Sequence, residues 1–544
     1  MLINLELIPD EKITIEIPET LEPEEQEKCD DHQMSLAQMD SDVTARLMVG
    51  HSEMLKSRAE NIKSSEILDA LYKGQDGDSE LFVTLFKNHY AYDKAVDVWY
   101  YWNDHFWRKD RLNQVIVSIL KVIDLYQKEK SKIIQFKEKA FETNKELAKK
   151  YENLENLIKK RIDILHTLKH KQNILSLSSS GVDSLAIPGH EWDSKPMLLG
   201  VRNGCIDLKT GKFGPGNPTD FIKTVSPIKW IDINAVPQRW IDFLHEILGG
   251  DRDAVEYIQR LLGYGITGLT TENIYPILWG EHGQNGKGTM IETIRDVLGG
   301  ELACKLSSDF LMQRGPQKNT GGPDAELFSL RGARIAWCSE TNKGERINVN
   351  KIKELSGTDT ISARPPYGKE QIHFKPSHLI FILTNRRPQM PADDDALWLR
   401  THLIPFAYSF VNNPTKPFER KKDPKLTEKL KEEYPAILAW LVRGCLKWQK
   451  EGLNPPGKFV AATAEYRGSE DIFQDFIDEN LYKDSISFTA RAKIFGSYKI
   501  WCTDNEYKRM NKKHFNEELE RKIGKHIRYL NVRGFSGYSI IPRS

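Results

Sequence analysis

The chain has 544 residues, of which 39% are hydrophobic and 28% charged, and its formal net charge at pH 7 is +1. This length predicts three or four domains, and the six scattered cysteines, which include no C-x-x-C pair, indicate neither a disulfide framework nor a zinc site. Because the N-terminus lacks the pattern of a signal peptide and no apolar run reaches the length of a membrane span, we expect a cytoplasmic protein without a membrane partner.

Residues 1–80 form an acidic segment with little apolar periodicity. Its first part is rich in carboxylates, including Glu19, Glu22, Glu24 and Glu25. This composition predicts a largely disordered or loosely helical lead. Two interpretations stay open: the lead binds a partner or mimics nucleic acid, or it is a solvated tail without a partner.

Residues 81–236 are predicted to form a mixed α/β domain. Aromatic residues crowd its start, and we interpret them as a small core rather than as a platform for bases. Between Leu112 and Leu177 the apolar residues follow a helical period. Many lysines lie on this helical segment, but glutamates offset them, so a solvated helix face is the favoured interpretation.

The third predicted domain, residues 237–453, contains the most informative stretch of the chain. From Ile277 to Thr289 an apolar strand runs into a glycine-rich turn, and a helix then opens at Lys287. This pattern is typical of a P-loop, in which backbone N–H groups and the helix N-terminus hold phosphates and a lysine reaches the β and γ oxygens. The predicted nucleotide-binding residues are Gly280, Gly283, Gln284, Asn285, Gly286, Lys287, Gly288 and Thr289.

The loop departs from the usual pattern G-x-x-x-x-G-K-[S/T] at two positions. Glu281 stands where the first glycine is expected, with Gly280 and Gly283 on either side. Gly288 stands where a hydroxyl residue normally ligates Mg²⁺, and Thr289 is the nearest substitute. The motif therefore predicts nucleotide binding but does not fix the metal ligand.

Three further polar residues are placed at the ends of apolar, strand-like runs downstream. Glu340 ends one run and can orient an attacking water, and Asn385 ends the next and can sense the γ-phosphate. Arg400 leads into a fourth run, where it can reach a phosphate across a subunit boundary or form a structural salt bridge to one of the aspartates 393–395. Each signal alone is weak, but their order and spacing favour an ATPase.

Residues 458–544 are predicted to form a winged helix. A helical stretch around Trp501, a second helix from Asn511 and two short strands, His526–Val532 and Tyr538–Ile541, complete the pattern. This end of the chain is basic, which suits a phosphate backbone, although winged helices also serve as dimer contacts. The residues expected to contact DNA here are Lys512, Lys513, Arg528 and Arg533.

Several of these segments resemble those of a known family. The runs Glu340–Asn342, Lys353–Arg364, Phe374–Pro376 and Leu383–Asn385 are similar to the motor motifs of superfamily 3 helicases. The closer resemblance is to the helicase part of phage and plasmid primase–helicases, the group related to the poxvirus primase–helicase. Upstream, Leu199–Gly211 is similar to the segment that precedes the motor in that family.

The resemblance implies a role for each polar residue of the motor. Lys287 corresponds to the Walker-A lysine, Glu340 to the Walker-B catalytic acid, Asn385 to the sensor and Arg400 to the arginine finger. Ser339 stands where other ATPases place a Mg²⁺-binding aspartate. Together with Thr289, Ser339 is therefore a candidate ligand for Mg²⁺, and water-mediated binding is compatible with the chemistry of this ion.

The implied fold is multidomain α/β, with an AAA+-like P-loop superfamily 3 helicase core between an N-terminal mixed α/β domain and a C-terminal winged helix. The implied function is that of an ATP-dependent hexameric DNA helicase, moving 3′ to 5′, in replication of a phage or mobile genetic element within a bacterial host cell. ATP and Mg²⁺ are the implied cofactors. The expected partners are single-stranded and forked DNA, other copies of the chain, and a primase or polymerase.

A hairpin between Arg364 and Glu370 is expected to grip single-stranded DNA in the pore of the ring. Its tip offers Lys369 for a phosphate and Tyr367 for stacking. The short acidic lead leaves no room for a catalytic primase domain, so we expect no primer synthesis from this chain.

An alternative from another class is a replication initiator or scaffold that binds DNA without processive unwinding and uses ATP only as an assembly switch. The altered magnesium contacts at Gly288 and Ser339 favour this alternative. The combination of Glu340, Asn385 and Arg400 favours hydrolysis and unwinding.

Overall fold

The structure of the chain, a computed structural model, describes residues 57–313, 324–339, 346–364, 371–505, 507 and 509–542. It divides into two compact units. Of the described residues, one unit holds those up to Tyr90 together with Arg111–Ala186, and the other holds Ala91–Asp110 together with those from Ile187 onward. Within the described part of the chain, no helix is long and apolar enough to cross a membrane.

The first unit is helical. Its helices are α1 (Ser64–Lys73), α2 (Gln75–Phe86), α3 (Gln114–Val117), α4 (Leu120–Thr143), α5 (Lys145–Leu165) and α6 (Leu168–Ser178). The two long helices α4 and α5 pack against each other as a hairpin. Asn144 joins them, and its side chain caps α5 by accepting hydrogen bonds from the backbone N–H groups of Glu146 and Leu147.

Helix α1 and the start of α2 lie within the segment that composition predicts as a disordered lead. Ile67, Ala70 and Leu71 recur at helical spacing on α1 and are buried. This part of the lead is therefore helical, because its apolar residues supply a face that packs. Residues 1–56 of the lead lie outside the described residues.

Eight short strands form two small sheets. They are β1 (Tyr90–Asp93), β2 (Val98–Trp102), β3 (Trp107–Lys109), β4 (Ala186–Ile187), β5 (Leu198–Val201), β6 (Gly204–Asp207), β7 (Lys212–Gly214) and β8 (Val225–Ser226). The strand orders are β3-β2-β1-β4 and β7-β6-β5-β8. Trp102, Trp107 and Trp192 are buried together, which confirms that aromatic residues of this region form a core.

The second unit continues with a larger sheet and its helices. The strands are β9 (Tyr275–Trp279), β10 (Ala303–Leu306), β11 (Ile335–Ser339), β12 (Ile361–Ala363), β13 (Ile372–Phe374), β14 (Leu379–Thr384), β15 (Thr401–Pro405), β16 (Ser409–Val411) and β17 (Glu419–Lys421). The helices are α7 (Gln238–Ile247), α8 (Arg252–Gly265), α9 (Lys287–Leu298), α10 (Ala325–Ser329), α11 (Val349–Leu355), α12 (Asp395–Trp398), α13 (Leu426–Glu432) and α14 (Tyr434–Glu451). Short 3-10 turns occupy Pro218–Asp220 and Ser308–Phe310.

Five of these strands form a parallel sheet in the order β10-β11-β14-β9-β15. Every residue of β14 is buried, as are four of the five residues of β11. A parallel sheet is covered on both faces, which explains why these strands are continuous apolar runs in the sequence. The carboxyl ends of β9, β11 and β14 meet at one edge, where parallel α/β sheets bind ligands.

Two smaller pairs of strands flank this sheet. Strands β12 and β13 are antiparallel, with Ile361 opposite Phe374 and Ala363 opposite Ile372. They confirm the strands predicted on both sides of the hairpin, whereas its tip, residues 365–370, lies outside the described residues. Strands β16 and β17 form a two-stranded ribbon after β15.

The last part of the chain contains α15 (Gly457–Ser469), α16 (Ile472–Asn480), β18 (Leu481–Ala490), α17 (Arg491–Asp504), α18 (Lys512–Ile523), β19 (Ile527–Tyr529) and β20 (Val532–Ile540). From α16 onward the order is helix, strand, two helices and two strands, and the strands pair as β18-β20-β19 in an antiparallel sheet. Phe476, Tyr498 and Phe515 form the centre of a separate core.

Helix α15 belongs with the parallel sheet rather than with this C-terminal part. Tyr466 on α15 is buried in the same core as Leu403 of β15. The Leu403 backbone N–H also donates to Thr463 Oγ1 at 3.0 Å. A domain boundary at residue 458 would therefore separate α15 from its packing partners, and the distinct C-terminal part begins near Asp471.

Candidate nucleotide-binding site

The loop between β9 and α9 has the tight backbone that a phosphate-binding loop requires. Its last residue before the helix, Gly286, has φ +82°, and a Cβ built there would lie 2.4 Å from Ile247 Cγ2. Only glycine satisfies both the left-handed conformation and this close approach. At the start of the loop, a Cβ on Gly280 would lie 2.1 Å from the side-chain amide of Asn285.

Three hydrogen bonds hold the carbonyl oxygens of the loop. Ser409 Oγ donates to the carbonyl of Gly283 at 2.7 Å, and the backbone N–H of Phe410 donates to the carbonyl of Gln284 at 2.8 Å. Within the loop, Asn285 Nδ2 donates to the carbonyl of His282 at 2.7 Å. The backbone N–H of Gly280 donates to the carbonyl of Thr384 at 3.2 Å. The part of the loop that leads into α9, together with the N-terminus of this helix, is the place where an anion would bind.

Lys287 and Asn385, which the sequence predicts as functional partners, are in contact. Lys287 Nζ donates a hydrogen bond to Asn385 Oδ1 at 2.8 Å. Lys287 is the first residue of α9 and is buried, whereas Asn385 follows β14, the strand beside β9. Burial lowers the pKa of Lys287 to about 8, because desolvation disfavours the charged form.

The two candidate magnesium ligands lie on the elements that border this edge of the sheet. Ser339 is the last residue of β11 and pairs with Leu383, which in turn pairs with Leu278 of β9. Thr289 is a half-buried residue in the first turn of α9. A Cβ on Gly288 would meet no atom within 4 Å, so open space is present where most P-loops carry a hydroxyl.

Arg400 lies at the amino ends of the parallel strands, whereas Lys287 lies at their carboxyl ends. Arg400 precedes β15, whose first residue pairs with Tyr275 at the amino end of β9, whereas Lys287 follows the carboxyl end of β9. Its guanidinium group donates to Ser356 Oγ at 3.1 Å and to the carbonyl of Lys353 at 3.3 Å. Arg400 and Lys287 of one chain therefore do not form a common site.

Two of the three aspartates considered as salt-bridge partners of Arg400 pair with other cations. Both oxygens of Asp394 accept hydrogen bonds from Lys353 Nζ at 2.7 Å, and Asp395 forms an ion pair with Arg467. Asp394 also caps α12 by accepting from the backbone N–H of Leu397. The contacts of Arg400 are thus to neutral oxygens of the segment that leads into β12.

A cavity of about 650 Å³, which the sequence did not predict, lies between α7 and the β16–β17 ribbon. Its lining includes His245, Gly249, Gly250, Tyr408, Phe410 and Arg420. Phe410 connects it to the loop through the hydrogen bond to Gln284, and the Arg420 guanidinium lies 4.3 Å from the Tyr408 ring centre. The Gly-Gly pair and the aromatic residues after β15 were the available sequence signals.

The predicted DNA contacts of the C-terminal part fall on two elements. Lys512 and Lys513 are the first two residues of α18, which Asn511 caps by accepting from the backbone N–H of His514. Arg528 on β19 lies directly opposite Arg533 on β20. Glu340, Tyr367 and Lys369 lie outside the described residues, so their predicted roles stay predictions.

Two family models match the chain, "D5 N terminal like" over residues 79–249 and "Family of unknown function (DUF5906)" over residues 278–400. The chain is 32% identical over 304 residues to "Putative helicase L207/L206" of Acanthamoeba polyphaga mimivirus. The matched region covers 54% of this chain and 31% of that protein. It is 25% identical over 349 residues to "Putative primase C962R" of African swine fever virus (strain Badajoz 1971 Vero-adapted). Here the matched region covers 61% of this chain and 36% of the viral protein. These matches support a relationship of the chain to the phage and viral primase–helicase family.

The match to these primase–helicase relatives is partial, since it spans about a third of their length. A solved structure, the A form apo structure of the NrS-1 C terminal region, aligns with 82% of this chain and 95% of its own, with a TM-score of 0.45 and 9% identity. The relatives named above come from large DNA viruses, and a bacterial host stays a prediction.

Proposed function

We propose that this primase–helicase relative is an ATP-driven DNA helicase motor that acts in replication of a virus or mobile genetic element. The observation that carries the proposal is the hydrogen bond of 2.8 Å between Lys287 Nζ and Asn385 Oδ1, at the carboxyl edge of a parallel sheet. A P-loop lysine and a polar residue at the end of the neighbouring strand form the phosphate end of an ATPase site. The printed names of the relatives, helicase and primase, support the same class of activity.

In this proposal the phosphates of ATP lie against the loop amides and the start of α9. The charged Lys287 neutralises the β and γ oxygens, and its hydrogen bond to Asn385 aims the ammonium group at them. Thr289 and Ser339 offer hydroxyl oxygens for Mg²⁺ or for waters that it keeps, and this ion supplies further neutralisation of phosphate charge. Glu340, the next residue after β11, is proposed to orient the attacking water.

The nucleoside of ATP is proposed to occupy the cavity between α7 and the β16–β17 ribbon. The cavity is large enough for a base and ribose, and ligand pockets in this size range are common. Tyr408 and Phe410 supply aromatic surface, and Arg239, Asp242 and Glu246 supply polar groups around it. The hydrogen bond from Phe410 to Gln284 joins this pocket to the phosphate-binding loop.

Arg400 is proposed to act on ATP held by a neighbouring subunit. It lies at the amino end of the sheet and the phosphate-binding loop at the carboxyl end, so an arginine finger would complete a site only between two copies of the chain. Such head-to-tail contacts generate a closed ring when the rotation between copies closes. We propose a hexameric ring with superfamily 3, AAA+-like organisation and 3′ to 5′ movement, which the strand order β10-β11-β14-β9-β15 and the sequence resemblance support.

Two parts of the chain are proposed to bind DNA. The hairpin of β12 and β13 would present Tyr367 and Lys369 to a single strand in the centre of the ring. The C-terminal part is proposed to be a winged helix, because its order of helix, strand, two helices and two strands is that of this fold. Forked DNA and a primase or polymerase are the proposed partners.

The alternative, an ATP-switched initiator or scaffold, is favoured by one observation. Gly288 leaves open space where a Mg²⁺-binding hydroxyl is usual, and β11 ends in serine rather than aspartate. Weak metal contacts would favour binding over turnover. Steady-state ATP turnover and unwinding of a forked substrate separate the two proposals.

The decisive experiment compares the wild-type chain with Lys287→Ala and Glu340→Gln. We expect turnover that single-stranded DNA stimulates in the wild-type protein, loss of ATP binding in the first variant, and binding without turnover in the second. Unwinding of substrates with a single 3′ or 5′ tail tests the direction. Normal turnover in both variants would exclude this site as the ATPase site, and ATP binding without any wild-type turnover would support the scaffold.

A further inference from the structure

The hairpin formed by β19 and β20 ends in a turn that exposes an aliphatic side chain. The two turn residues are Leu530 and Asn531, with φ +44° and +64°, between the paired residues Tyr529 and Val532. Two-residue hairpin turns of this kind favour asparagine or glycine, since a left-handed backbone is costly for other residues. Leucine nevertheless holds this position, and 82% of its surface is exposed.

The hairpin has two different faces. Directly paired residues share a face and successive pairs alternate, so Ile527, Tyr529 and Val532 lie on one face and Arg528 and Arg533 on the other. The three apolar side chains are 47%, 57% and 45% exposed. Phe488 contacts Tyr529 from β18, with ring centres 5.4 Å apart, but Leu530 extends beyond this contact.

The basic face indicates the kind of partner that fits. Two arginines directly opposite each other repel, which destabilises a hairpin unless an anion lies between them. Neither Arg528 nor Arg533 forms an ion pair with a described acidic residue. From Arg491 to the last residue, the sequence contains thirteen lysines and arginines and five acidic residues, so the whole segment is suited to a polyanion.

We propose that this hairpin is a wedge that engages the end of a DNA duplex. Leu530, supported by Tyr529, stacks on the terminal base pair and unstacks it, while Arg528 and Arg533 hold a backbone phosphate. Apolar side chains that enter a base stack are a recurrent way to deform a duplex, and arginines beside them fix the position on the backbone. The inference rests on the proposed helicase function and adds an element that opens the duplex outside the ring.

The test uses full-length protein and a forked DNA with 2-aminopurine in its terminal base pair, whose fluorescence rises when the base unstacks. Leu530→Asn removes the apolar tip and suits the left-handed turn, so this variant keeps the hairpin. Leu530→Met is the matched control that keeps an apolar tip. We expect wild type and Leu530→Met to raise the fluorescence, and Leu530→Asn to lose most of the rise, with a decrease in fork unwinding of about tenfold but unchanged basal ATP turnover.

Arg528→Ala with Arg533→Ala should weaken binding to every duplex and reduce its dependence on salt. Equal fluorescence and unwinding in wild type and Leu530→Asn would overturn the wedge while leaving the helicase proposal intact. A change of oligomeric mass in Leu530→Asn, with the DNA signals unaffected, would assign the apolar tip to a protein contact. Absence of unwinding by the wild-type protein would instead overturn the helicase proposal on which the wedge depends.

Discussion

At the scale of single residues, Lys287 is expected to make the proposed binding of ATP sensitive to pH. Its pKa is lowered by burial to about 8, and phosphates favour the protonated form, so binding above this pH requires uptake of a proton. We expect the Kd for ATP to rise about tenfold between pH 7 and pH 9, because the protonated fraction falls by that factor. Isothermal titration in buffers of different ionisation enthalpy measures both the affinity and the proton uptake.

Inorganic triphosphate is the control, since it reaches only the phosphate end of the site and should show the same dependence. The contribution of Lys287 to stability changes with pH in the opposite direction to the affinity for ATP. The unfolded lysine titrates near 10.5 and the folded one near 8, so the unfolded chain binds more protons between these values, and this group's contribution to the free energy of unfolding rises with pH there. An affinity for triphosphate that stays constant from pH 7 to pH 9 would contradict the assignment of Lys287.

Arg400 is expected to act between subunits, because it and Lys287 lie at opposite edges of one sheet. Mixing Lys287→Ala chains with Arg400→Ala chains should restore part of the ATP turnover, since some junctions then combine an intact loop with an intact arginine. The measurement is turnover across mixing ratios, with formation of mixed rings checked by mass. If mixed rings form and no ratio restores turnover, Arg400 acts only within its own chain, through Ser356 and Lys353.

At the scale of elements, the β16–β17 ribbon is expected to determine affinity for the nucleoside. The ribbon contacts the loop between β9 and α9 through Ser409 and Phe410, and Tyr408, which lines the cavity, directly precedes the ribbon. We expect Tyr408→Ala to weaken ATP binding about tenfold, as loss of one aromatic stacking partner does, and to leave the affinity for inorganic triphosphate unchanged. Equal weakening for both ligands would mean that the substitution disturbs the loop and that the base lies elsewhere.

The β12–β13 hairpin is the element expected to couple hydrolysis to movement of the strand. It follows the segment that binds Arg400 through Ser356, so a change at the subunit boundary can reach it directly. Lys369→Ala should keep basal ATP turnover and ring assembly but lose stimulation by DNA, because one phosphate contact at the tip is removed. Wild-type rates of fork unwinding by this variant would show that the hairpin does not grip DNA.

At the scale of the whole molecule, local motifs were easier to predict than long-range contacts. The glycine-rich loop before α9 and the strands ending near Ser339 and Asn385 were visible in the sequence, since each strand is a continuous apolar run next to turn or polar residues. The contact of Arg400 with Ser356 could not be predicted from the sequence, because it joins residues that are 44 positions apart and share no pattern. The edge strand β10 was also not predicted, because it is only four residues long and contains the charged residue Lys305.

The C-terminal hairpin shows how a local rule can mislead. The predicted strands His526–Val532 and Tyr538–Ile541 left residues 533–537 as their connection, but these residues lie within β20, and the turn is at Leu530 and Asn531. A Cβ on Gly534 would lie 2.4 Å from the carbonyl oxygen of Thr489. This glycine therefore permits close approach of a neighbouring strand, a role that the sequence does not distinguish from a turn.

The C-terminal part is expected to contribute to DNA binding and not to ATP turnover. The Met390 backbone N–H donates to Glu470 at 2.9 Å, and α15 packs on β15, so a deletion that preserves the motor must begin after Glu470. Removal of residues 471–544 should leave ATP turnover within about twofold of wild type, since the C-terminal part has a core of its own and independent sites contribute additively. The affinity for a DNA duplex should fall. The affinity should also depend less steeply on salt concentration than in the full-length chain, because fewer lysines and arginines displace counterions. Fluorescence anisotropy with a labelled duplex at several salt concentrations measures both quantities, and an unchanged salt dependence after the deletion would assign the C-terminal part to protein contacts instead of DNA.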